Sequence, residues 1–95
     1  MEIIRTENGS EVTLKLVGWL DTQAAPQLEE AVAEIKEGES LVVDMAELEY
    51  IASSGLRQFV AAYKKVNGNM VLRNVSENVM GILKTTGLDR RISIE

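Results

Sequence analysis

Three stretches of helically spaced apolar residues, each followed by a glycine, alternate with short strand-like runs, and this alternation constrains the fold more than any other feature. Leu28, Ala31, Val32 and Ile35 recur at helical intervals ahead of Gly38. Leu56, Phe59, Val60, Tyr63 and Val66 do so ahead of Gly68, and Val79, Ile82 and Leu83 ahead of Gly87. Apolar residues three and four apart line one face of a helix. Glycine ends a helix readily because it enters the left-handed conformation without a steric cost. Asp21-Thr22 supplies N-cap chemistry for the first helix, Pro26 fits only its first turn, and Ser76 caps the third.

Between these helices lie Leu41-Val42-Val43 and Met70-Val71-Leu72, continuous apolar runs of the kind found in strands buried on both faces. Met1 to Arg5 reads as a first strand and Asn8-Gly9 as a hairpin turn. Val12, Leu14, Leu16 and Leu20 then alternate with Thr13, Lys15 and Trp19, the period of a half-buried strand, and Gly18 marks a bend near its end. Met45 to Ala52 reads as a loop, and Ile92 and Ile94 as a last short strand. Strands alternating with helices require crossover connections, so the expected fold is α/β with a mixed, mostly parallel sheet. No linker, repeat or low-complexity segment divides residues 1–95, which form one domain.

Composition removes several functions. The chain has no cysteine and no histidine, hence no disulfide, no thiolate metal site and no Ser-His-Asp triad. Glu47 and Glu49 form no metal-ligand pattern, and no Gly-rich phosphate loop occurs. The expectation is a protein that is not an enzyme and uses no cofactor. A net charge of −5 argues against nucleic-acid partners and an anionic membrane surface. Met1 to Ser10 contains no apolar signal-peptide core, and no run approaches the ~20 residues of a membrane span, so no membrane insertion and a cytoplasmic location are expected.

The informative segment is Leu41 to Arg57, a buried strand leading to Ser53-Ser54-Gly55 at a helix start. Unpaired N–H groups and the helix dipole favour negative charge there. A phosphate on Ser53 would therefore be tolerated, adding about −1.5 to −2 charges without unfolding the domain. The same spacing, taken alone, more often describes a serine N-cap beside a solvated serine. Asp21 is either a helix cap or a contact residue, and Arg57 either pairs with a phosphate one turn away or is solvated. Trp19 faces away from Leu14 and Leu16, as a partner anchor or packed beneath a neighbouring element, the latter being favoured.

Two motifs carry a family resemblance over essentially the whole chain. Gly18-Trp19-Leu20-Asp21 resembles the Gly-x-Leu-Asp of STAS domains of the anti-sigma-factor antagonist type. Val43-Asp44 through Tyr50-Ile51-Ala52-Ser53-Ser54-Gly55-Leu56-Arg57 resembles their switch segment. The resemblance implies a STAS fold and partner switching. The unphosphorylated antagonist binds an anti-sigma factor that is also a serine kinase, releasing a sigma factor. Phosphorylation of the antagonist by that kinase separates the two, and a serine phosphatase reverses it. Carried over by position, the phosphoacceptor is Ser53, and the partner-binding residues are Asp21, Ser53, Ser54, Gly55 and Arg57. Ala52 departs from the pattern, since many members place Asp before the switch serine. That departure suits an alternative, a phosphorylation-independent accessory subunit of a transport or stress-sensing assembly.

Overall fold

A computed structural model describes all residues, 1–95. Strand β1 (Glu2–Asn8) turns through Gly9 and Ser10 into β2 (Glu11–Leu20), followed by helix α1 (Ala25–Ala33), β3 (Ser40–Ile51), α2 (Ser53–Lys65), β4 (Met70–Arg73) and α3 (Glu77–Thr86). A short 3₁₀ turn at Leu88–Arg90 leads to β5 (Ser93–Ile94). The five strands lie side by side in chain order, β1-β2-β3-β4-β5. β1 and β2 pair antiparallel through the predicted hairpin, while β2-β3, β3-β4 and β4-β5 are parallel. The mixed, mostly parallel sheet expected from the sequence is thus the one observed.

The strand order decides where the helices go. Each parallel connection steps to the next strand in the same direction, and right-handed crossovers then put every helix on one face. The core agrees: Val12, Leu14 and Leu16 of β2, Leu41 and Val43 of β3, and Leu72 of β4 form one cluster with Leu28 of α1, Phe59 of α2 and Leu83 of α3. Phe59 is completely buried at its centre. On the opposite face the alternate residues Thr13, Val42 and Val71 stand in register, with no helix over them. Val42 is buried like Leu41 and Val43, as the apolar run predicted, although it lies outside the main cluster.

Three local expectations are corrected. Met45 to Ala52 is no loop, because β3 continues to Ile51. Two irregularities of register, between Lys15 and Val17 and between Gly18 and Trp19, give β3 extra residues against β2. Its buried positions therefore fall at Met45, Leu48 and Ile51, a spacing of three that hides the strand period. The first two helices also stop before their glycines. α1 closes on Glu34, its C-cap residue, in a right-handed conformation, and α2 closes on Val66, with Asn67 and Gly68 supplying the left-handed turn afterwards. Only α3 closes on its glycine, Gly87 at φ 79°. Ser76 caps α3 as expected, its Oγ accepting from the Val79 N–H at 3.2 Å.

Candidate functional site

The predicted site residues come together where β2 and β3 end and α1 and α2 begin. Leu20 and Ile51 close the two strands as register partners, and the Ala52 N–H donates to the Leu20 carbonyl at 2.9 Å. That bond fixes the point at which the chain turns into α2. Ala52 is the N-cap residue, extended at φ −91° and ψ 168°, and its methyl group gives the helix no side-chain acceptor. Neither serine is therefore the N-cap. Ser53 is the first helical residue and is exposed, and no acid occupies the first turn. The leading N–H groups of α2 are left without a capping side chain or a neighbouring carboxylate from their own turn.

Ser54 is half-buried, and its Oγ donates to Thr22 Oγ1 at 3.3 Å. This bond spans 32 residues and ties the β2–α1 loop to the start of α2. The Asp21 Oδ1 accepts from the Ala24 N–H at 2.9 Å, and the Asp21 carbonyl accepts from the Ala24 and Ala25 N–H groups. Asp21 thus caps the turn before α1, three residues ahead of the N-cap position, Ala24. Pro26 lies in the first turn, as predicted.

Gly55 is buried, and the reason is close packing, because a Cβ there would lie 2.6 Å from Leu20 Cγ and 3.1 Å from Ile51 Cγ1. Glycine lets the first turn of α2 rest directly on the ends of β2 and β3. Arg57 is exposed on the same side of α2 as Ser53, one turn on, and forms no ion pair. Of the five predicted residues, Asp21, Ser53, Ser54 and Arg57 offer polar atoms at this end of the sheet, and Gly55 supports them from below.

Trp19 corrects the sequence reading. It is not packed under another element; it is 57% exposed and lies against Tyr50, with ring centroids 5.5 Å apart and an interplanar angle of 46°. Thr22 and Tyr50 were missed as site residues. Local spacing carried no signal for either, since each partner comes from a distant stretch of chain.

On the helix-free face a polar row crosses the strands. Lys15 pairs with Glu47, and Asp44 accepts from the Asn74 side chain and the Ala46 N–H, both at 3.0 Å. The Asn74 hydrogen bond, more than any other influence, holds the Asp44 carboxyl below its ordinary range, helped by the Ala46 N–H and the Lys15 and Arg73 charges. Arg73 pairs with Glu95 at 2.8 Å, which raises the guanidinium pKa further. No group of three or more acidic side chains is placed to hold a metal, and no helix is long and apolar enough to cross a membrane.

This two-layer α/β architecture has known counterparts. The sequence matches the STAS domain family over residues 2–95, and the chain belongs to that family. It is 31% identical over 97 residues to the anti-sigma-B factor antagonist of Listeria monocytogenes, covering 97% of this chain and 85% of the relative. An anti-sigma factor antagonist from Mycobacterium paratuberculosis superimposes with a TM-score of 0.88 at 22% identity, over 98% of this chain and 83% of the other. The phosphorylated form of the Bacillus cell fate determinant SpoIIAA gives 0.74 at 16% identity, over 99% and 91%. The two structural likenesses establish the fold.

Proposed function

We propose that this chain is a cytoplasmic anti-sigma-factor antagonist, switched by phosphorylation of Ser53. Unmodified, it binds an anti-sigma-factor serine kinase and so frees a sigma factor. Modified, it lets go, and a serine phosphatase returns it to the binding state. The chain itself catalyses nothing in this cycle. The observation that carries the reading is the exposed Ser53 at the first position of a helix lacking a side-chain cap. A phosphate there meets unpaired backbone N–H groups and the positive end of the helix dipole, so the fold accommodates it. For a partner seated on the same surface, the added charge is costly to bury. The name carried by the Listeria relative supports the antagonist reading.

Incubation with the anti-sigma-factor kinase of the same organism and ATP, followed by mass spectrometric mapping, tests the reading. Phosphate on Ser53, abolished by Ser53→Ala, is the expected result. Phosphate on Ser54 alone would move the acceptor by one residue, and no phosphate on either serine would overturn the switch. Ala52, in place of the acid usual before the serine, favours a second reading, a subunit of a transport or stress-sensing assembly that works unphosphorylated. Affinity capture recovering transporter ATPase components, with no kinase among them, would decide for it.

A further inference from the structure

We propose that the Trp19–Tyr50 pair, together with the carboxylates of Glu2 and Glu49, is a second contact surface for the partner that docks at Ser53, and that it receives a guanidinium or ammonium side chain laid across the rings. The inference rests on the switch reading for the identity of that partner.

The pair serves no purpose in the core. Leu20, the next residue, is completely buried, whereas Trp19 and Tyr50 are 57% and 42% exposed. Their rings pack against each other at a tilt and place two large aromatic side chains at the surface. Exposed Trp and Tyr are among the residue types that dominate contact energies at interfaces.

Position links the pair to the switch. Trp19 and Tyr50 are register partners, and the next pair, Leu20 and Ile51, ends both strands. Ser53 lies three residues beyond Tyr50, at most about 11 Å along the chain. By strand alternation the rings lie on the helix-free face with Lys15 and Glu47, so a partner covering Ser53 meets them by reaching round this end of the sheet.

Charge selects the chemistry of the contact. Glu2 and Glu47 flank Val17 in register beside the aromatic pair, and Glu49 precedes Tyr50. Lys15 neutralises Glu47, while Glu2 and Glu49 take part in no ion pair. A cation over an aromatic face, with free carboxylates beside it, is attracted by both. A second copy of this chain would set Glu2 and Glu49 against their own counterparts, and an anionic lipid surface would be repelled. A partner presenting a basic side chain is the occupant that fits.

Trp19 is the chain's single tryptophan, so 5-fluorotryptophan labelling gives one ¹⁹F resonance that reports on this surface alone. The test titrates the labelled chain, residues 1–95, with the purified anti-sigma-factor kinase and measures the affinity of variants by calorimetry. The resonance is expected to shift on binding. Trp19→Ala is expected to weaken binding at least about 30-fold at an unchanged melting temperature, and Glu49→Arg at least about 10-fold. Binding within twofold of wild type for both variants, while Ser53→Asp binds poorly, would overturn this inference and leave the switch standing. Loss of affinity in Trp19→Ala with none in Ser53→Asp would overturn the switch and retain the aromatic contact. A wild-type chain that does not bind the kinase overturns both.

Discussion

Ser53 and Gly55 sit two positions apart and answer to different physics. Ser53 projects into solvent and makes no hydrogen bond to the N-terminal turn it occupies. Ser53→Ala should change stability by less than about 0.5 kcal/mol, as expected for an exposed site, and thermal unfolding will show it. The same substitution should leave the chain permanently competent to bind its partner. Gly55→Ala should behave in the opposite way. Its new methyl group would press on Leu20 and Ile51, and overpacking of this kind costs about 1–3 kcal/mol. Urea unfolding will measure that loss, and a neutral outcome would mean that α2 lifts from the strands at little cost. Asp44 gives a pH prediction. Its carboxyl is held below the ordinary value of 3.8, chiefly by Asn74. The stabilisation is therefore present above that ordinary value and is lost as pH falls through the lower folded value. Asp44→Asn should flatten the acid limb of the stability curve.

At the scale of the element, α2 is a helix with an incomplete beginning. Ala52 occupies its N-cap in the right conformation but with the wrong side chain. Ala52→Asp should therefore stabilise the domain by about 1 kcal/mol, raising the melting temperature by about 4–8 °C for a chain of this size. The other two helices were more nearly legible. Pro26 located the first turn of α1, and Ser76 with Gly87 bounded α3. The glycines after α1 and α2 misled because each lies beyond the helix in a turn of its own, Gly38 at φ 88° and Gly68 at φ 83°. The second half of β3 was illegible for a different reason. Its bulges respace the buried residues to Met45, Leu48 and Ile51, a pattern that matches neither an uninterrupted strand nor a helix of ordinary length.

For the whole molecule, the alternation of strands and helices was sufficient to predict the class of sheet, because crossover geometry leaves few arrangements open. It was insufficient to predict the site's tertiary contacts. The Ser54–Thr22 hydrogen bond and the Trp19–Tyr50 contact each join residues about thirty positions apart, and no local spacing encodes such meetings. One consequence of the architecture is that the site is built from the ends of elements while the core lies beneath it. Phe59→Ala, at the centre of that core, should cost about 3–5 kcal/mol, a large share of the ~5–15 kcal/mol typical of a domain. Substitutions at Ser53 or Arg57 should leave stability almost untouched.

The proposed separation of docking from folding is most directly tested by calorimetric titration of the anti-sigma-factor kinase with the chain in its unmodified and Ser53-phosphorylated forms. Phosphorylation should weaken binding at least about 30-fold, equivalent to about 2 kcal/mol, while both forms unfold at nearly the same temperature. Equal affinities for the two forms, or a phosphorylated chain that has lost its cooperative unfolding, would contradict it.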